Sequence, residues 1–161
     1  RSPSLFAAGA VREALNERGA GPAMTVVPRT AQEMRELVAV KLDSRLLRGL
    51  ERISGSDFRY RLPGRDRTTH FGTIVIRYSS PLAAGRMASL PSLRRGYFRN
   101  SKILIRYSVA VLGRLLFVAY SESSGDRRIV EAIAALPARF AKAATQAPIQ
   151  WDEPDASTPV P

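Results

Sequence analysis

The sequence predicts an α+β fold: one four-stranded, mainly antiparallel sheet in β-β-α-β-β-α order, preceded by two helices, with helices packed on one face. Three observations carry this. Apolar residues recur every three or four positions over residues 4–53 and again over 129–140, the spacing of an amphipathic helix. Over residues 58–121 the spacing drops to two, as in a strand with one buried face. Turn chemistry separates the strand-like runs, with Pro63-Gly64-Arg65-Asp66 after the first and Gly113-Arg114 between the last two.

Each element has its own signal. Leu5, Ala8, Val11, Ala14 and Leu15 define a first helix from Ser4 to Arg18, and Gly19 stops it. Ala23 to Val27 is a short strand-like run. Thr30 and Glu33 form a capping box, each side chain satisfying a backbone N–H of the first turn. Met34, Leu37, Val38, Leu42, Leu46, Leu50 and Ile53 then extend a long helix to about Arg52, with a break near Asp43-Ser44 and Gly55 as its end. Phe58, Tyr60 and Leu62 alternate with Arg59 and Arg61 in the first strand, and His70 to Ser79 is the second. Ser80-Pro81 starts a short helix that ends before Pro91. Residues 91–100 are a basic loop. Lys102 to Leu112 and Leu115 to Ser121 form a hairpin, and the latter, apolar on both faces, is central. Ser124 or Asp126 caps a last helix carrying Ile129, Val130, Ile133, Leu136 and Phe140, kinked at Pro137.

At 161 residues this is one domain, expected to end near residue 145. Residues 146–161, with four prolines, three acids and the only tryptophan, Trp151, read as a disordered tail. Hydrophobic content of 45% and charged content of 24% exclude wholesale disorder and collagen-like order. No apolar run reaches the roughly 18 residues that span a bilayer, so no transmembrane segment is expected. The first residue is Arg1, compatible with a removed signal or transit peptide, and localisation stays open.

Net charge is +11 and unevenly placed: residues 1–57 carry +2, residues 58–106 carry +10, and residues 107–161 carry −1. Within the basic third, Ile74-Val75-Ile76-Arg77-Tyr78-Ser79 recurs as Ile103-Leu104-Ile105-Arg106-Tyr107-Ser108. Alternation puts Ile74, Ile76 and Tyr78 on one face and Arg77 on the other, and likewise for the second copy. Matching Phe58, Tyr60 and Leu62 to the isoleucine face leaves Arg59, Arg61, Arg77, Lys102 and Arg106 together on an open face. The adjoining loop adds Arg94, Arg95 and Arg99 with Tyr97 and Phe98. Guanidinium groups hold phosphates and exposed rings stack on bases, so these ten residues form the expected site for an anionic partner. Arg95-Gly96-Tyr97 opens like one RNA-binding strand signature, but Phe98 and Arg99-Asn100 depart from it, and no family is assigned on it.

Catalytic signals are sparse. With no cysteine there are no disulfides, thiolate metal sites or cysteine nucleophiles. The lone histidine, His70, has no carboxylate cluster beside it, and no phosphate-binding or nucleophile-elbow motif occurs. Asp57, Asp66 and Glu122 as a carboxylate pair, and Arg77, Ser79 and Glu122 as a transferase set, lack a supporting pattern. No metal, no cofactor and no catalytic residue is expected. The reading is a non-enzymatic binding or assembly module, taking nucleic acid or an acidic protein surface on the basic sheet face, with homodimerisation as a further use of an open face. Two alternatives stand beside it: a secreted or lipid-anchored accessory domain at an anionic envelope surface, and a small metal-free transferase or hydrolase.

Overall fold

A computed structural model describes residues 3–17, 24–61, 68–99, 101–102, 104–122 and 127–146. The elements are α1 (Pro3–Asn16), β1 (Met24–Arg29), α2 (Ala31–Lys41), a 3-10 turn (Ser44–Leu47), β2 (Leu50–Arg61), β3 (Thr68–Tyr78), α3 (Pro81–Ala88), α4 (Pro91–Arg95), β4 (Tyr97–Arg99), β5 (Leu104–Leu112), β6 (Leu115–Glu122) and α5 (Arg127–Gln146). The class is the expected one, α+β with one antiparallel sheet. The sheet has six strands rather than four, in the order β1-β2-β3-β6-β5-β4. The turn at residues 63–66, the cap of the last helix and the tail beyond Gln146 lie outside the described residues.

The two added strands and the shortened second helix have local causes. The run expected at Ala23–Val27 becomes β1, pairing with β2 from Met24↔Tyr60 to Arg29↔Gly55. The long helix stops at Lys41, because the Asp43 side chain accepts the Arg45 N–H and caps a 3-10 turn instead. Gly49 then turns the chain at φ 69, and Leu50 and Ile53 join β2. Within the basic loop, Gly96 takes φ 77, ends α4 and aims Tyr97–Arg99 along β5.

Helices cover both faces, not one. On one side α1 and α5 bury Val11, Leu15, Phe58, Val75, Phe117, Ile133, Leu136 and Phe140. On the other, α2, the 3-10 turn, α3 and α4 bury Met34, Val38, Leu46, Ile53, Ile74, Ile76, Tyr78, Leu93, Ile105 and Leu116. The apolar character of β6 on both faces required this: Phe117 and Ala119 serve the first core, Leu116, Val118 and Tyr120 the second.

Register also corrects the face assignment. Phe58 pairs with Phe71, while Ile74 pairs with Gly55. Phe58 therefore shares a face with Val75, opposite Ile74 and Ile76. Period two fixes alternation inside a strand but not the phase between strands, which pairing sets.

Three local arrangements explain otherwise odd residues. In the repeated motif both tyrosines anchor a short helix to the sheet: Tyr78 Oη donates to Leu46 O at 2.6 Å, and Tyr107 Oη donates to Ser92 O and to Tyr97 O. Gly55 lies flat beneath α2, where an added Cβ would stand 2.1 Å from Met34 Sδ and 2.9 Å from Thr73 O. Pro137 sits inside α5 and has no N–H for the carbonyl of Ile133, four residues back. Ser108 Oγ on β5 donates to that carbonyl instead, at 2.5 Å.

Candidate functional site

The ten expected residues do not share one face. Arg59 pairs with His70 in register and lies on the α2 side of the sheet. Arg77 lies on the α1/α5 side, where its Nε donates to Glu51 Oε2 at 3.1 Å. The same carboxylate oxygen accepts from Arg114 Nη2 at 2.5 Å, so Arg77 belongs to an ion-pair cluster beside the β5–β6 turn. Arg61 pairs with Thr68 at the far end of β2. Lys102 precedes β5, outside the ladder. Phe98 is half-buried, packed against the core beneath α3 and α4, and serves as a packing residue.

Six of the ten do converge, on the edge built by α4, β4 and the start of β5. Arg94 and Arg95 form the last turn of α4. Beyond the left-handed Gly96, Tyr97 enters β4 directly opposite Arg106 on β5. Arg99, two residues on, faces the same side as Tyr97. The Arg95 guanidinium lies 5.5 Å from the Tyr97 ring centroid, and its Nε donates to Tyr97 O at 3.3 Å. Tyr97 is 44% exposed. Arg94, Arg95, Arg99, Lys102 and Arg106 are exposed as well. Among the described residues no carboxylate pairs with Arg94, Arg95, Arg99 or Arg106. The sequence shows why: no Asp or Glu stands between Asp66 and Glu122, against nine Lys/Arg from Arg67 to Arg114. Glu122, the nearest acid along the chain, is bonded to Lys41.

Two polar clusters escaped the sequence reading. Asp57 accepts Arg29 Nε at 2.6 Å through Oδ2 and Tyr120 Oη at 2.7 Å through Oδ1. Gly72, across the ladder from both Asp57 and Tyr120, makes this bond possible, since a Cβ there would meet Tyr120 Oη at 2.3 Å. Hydrogen bonding to Asp57 raises the Arg29 pKa, and burial followed by the Asp57 charge raises that of Tyr120 far above the ordinary phenol value. Tyr120 is thus a fixed neutral donor. Asp57, with both oxygens engaged, is a structural carboxylate. Asp43 is the centre of the second cluster, accepting Arg45 Nη2 at 2.8 Å and Ser92 Oγ at 2.5 Å. Those bonds, Arg45 foremost, hold it at about 2 against an ordinary 3.8. No apolar or charge pattern announces either cluster: Arg45 is a neighbour of Asp43, but Ser92, Arg29 and Tyr120 reach their carboxylates from 28 to 63 residues away.

The weighed transferase set does not assemble, and Asp66 of the weighed carboxylates lies outside the described residues. Arg77 pairs with Leu115 at one end of β6 and Glu122 stands at the other, seven residues and about 23 Å along the strand. Among the described residues no three His, Asp or Glu side chains gather as metal ligands. No helix among them is long and apolar enough to cross a membrane. No family model matches the chain, and neither the curated proteins nor the solved structures contain a match.

Proposed function

We propose that the chain is a non-enzymatic binding module that takes an anionic partner on the α4–β4–β5 edge. One observation carries the reading: an exposed tyrosine ring ringed by Arg95, Arg99 and Arg106, with no described carboxylate to neutralise them. Like charges on one edge cost stability unless water or a partner screens them. Exposed guanidinium groups beside a ring suit single-stranded nucleic acid, whose phosphates the cations hold and whose bases stack on the ring face that Arg95 leaves open.

Binding to a single-stranded RNA, a DNA duplex and anionic vesicles at several salt concentrations tests this. The Arg99→Ala/Arg106→Ala double variant should flatten the log–log salt slope by about one to two units. Arg59→Ala, on the other side of the sheet, should leave the slope unchanged. Tyr97→Ala should weaken the RNA by about 1–3 kcal/mol and leave vesicles unaffected. Equal losses from Arg59→Ala and the double variant, or no binding to any of the three, would refute the assignment.

A further inference from the structure

The outer edge of β5 is only partly covered. β4 pairs with Leu104 to Arg106, and the Tyr107 N–H reaches Gly96 O at 3.0 Å. The residues before Gly96 are helical, in α4, so from Ser108 to Leu112 the strand has β6 on one side and, among the described residues, no strand on the other. Because the Tyr107 N–H points outward, alternation aims the N–H and C=O of Val109 and Val111 outward too. Among the described residues no backbone group outside the sheet bonds them. The open stretch is Ser-Val-Ala-Val-Leu, with no charge and no proline, whereas the opposite edge strand β1 contains Pro28. Natural proteins guard such edges. Val111 is 39% exposed here, and Leu82 is 65% exposed on α3, the helix packed against β5.

We propose that this open half of β5 takes the C-terminal end of a partner protein as an added antiparallel strand, apolar at alternate positions and closed by its free carboxylate. The partner's last residue lies opposite Val109 and its third-last opposite Val111, each exchanging N–H and C=O with the strand. Both side chains emerge on the face of Val109 and Val111, beside α3, where β-branched groups extend the apolar surface. Two observations make the occupant a negatively charged chain end rather than a passing strand. One is steric: Gly96 already fills the place opposite Tyr107, so an added strand has no room to continue past Ser108. The other is charge. The gap between Val109 and Gly96 opens beside Arg94 and Arg95, in the last turn of α4, and Arg106, three residues down β5. All three are exposed, and among the described residues no carboxylate pairs with them. A terminal carboxylate placed there accepts the Val109 N–H in a charge-assisted bond. A second copy fits worse. Pairing β5 with its own mate about Ala110 sets each Gly113 where Gly96 already stands, and joins two chains of charge +11.

Strand addition here does not rest on the nucleic-acid reading, although the two ligands share Arg94, Arg95 and Arg106. The probe is the tetrapeptide Thr-Val-Thr-Val, dye-labelled at its N-terminus and ending in a free carboxylate, titrated with the full chain by fluorescence anisotropy. In the isotope-labelled chain it should shift the Val109 and Val111 amides. N-methylation of either valine removes a donor to β5 and should weaken binding about tenfold, while N-methylation of the second threonine, whose N–H points away, should leave it within about twofold. The C-terminal amide should bind about tenfold more weakly and lose the salt dependence of the acid. Arg99→Ala should weaken RNA and leave the peptide unchanged, so the two readings fail separately. No binding, equal losses from all three methylations, or an amide that binds as well as the acid overturns the proposal. So does protection of the Val109 and Val111 amides in the chain alone that fades on dilution, which would make the occupant a second copy.

Discussion

Removing the Ser108 hydroxyl tests how α5 tolerates its internal proline. Ile133 is 5% exposed, and its carbonyl is the one that Pro137 deprives of a helical partner. Ser108 Oγ supplies the substitute at 2.5 Å. In Ser108→Ala the carbonyl is left buried and unpaired, which costs about 1–3 kcal/mol. For a chain of this size each kcal/mol lowers the midpoint by about 2–4 °C. Pro137→Ala restores an N–H within reach of Ile133 O, so in that background Ser108→Ala should cost under about 0.5 kcal/mol. The assay is a double-mutant cycle in urea, followed by helical circular dichroism. A Ser108→Ala penalty that is the same with and without Pro137 would show that the hydroxyl is not replacing the lost helical bond.

Gly72→Ala should destabilise by about 2 kcal/mol or more, since its Cβ would displace Tyr120 and cost Asp57 one of its two bonds; in a Tyr120→Ala background, where the clash and the bond are both gone, the same Gly72→Ala change should cost clearly less in the same unfolding assay. Asp43 is depressed to about 2, so its contribution is fully present above its unfolded value of 3.8 and is lost as pH falls from there toward about 2. With Asp43 8% and Arg45 48% exposed, that contribution is about 1–2 kcal/mol, and acid titration of Asp43→Asn should lack it. Tyr78→Phe should cost about 1 kcal/mol in thermal unfolding, having lost the bond to Leu46 O, while the packing of its ring stays.

Local signals were read correctly where a single segment contained the whole cause. The Thr30–Glu33 capping box is closed from both sides at 3.2 Å, the Ser80 side chain caps α3, and Gly113-Arg114 joins β5 to β6. The repeated motif also turned its tyrosines and arginines to opposite faces as alternation demands. What failed needed a partner from elsewhere. The long helix is expected to reach about Arg52 and stop at Gly55, because neither face of the stretch from Ser54 to Asp57 is apolar. Gly55 is there to admit Met34, and Asp57 to hold Arg29 and Tyr120. The basic face broke apart for the same reason. Which side Arg59 occupies relative to Arg77 depends on β2–β3 pairing, and Glu51, which neutralises Arg77, lies 26 residues away. The cluster on the α4–β4–β5 edge survived because Arg94 to Arg106 are near in sequence.

The strand order β1-β2-β3-β6-β5-β4 has a consequence for how the chain reaches its native state. It divides into two meanders, each contiguous in sequence, that meet along one seam, β3 against β6. Every pairing except the seam joins sequence neighbours, so either half can collapse on its own before the other exists. The seam pairs residues 38 to 50 apart, from Arg77↔Leu115 to Phe71↔Ser121, and only the crossing of α1 on α5 closes over most of the chain length, so the slow, non-local part of folding is expected there. Two fragments divided between α3 and α4 would each carry one complete meander with a bare central edge. Each half would then be a template for the other, and the β3–β6 seam is where they would recombine into one cooperative unit.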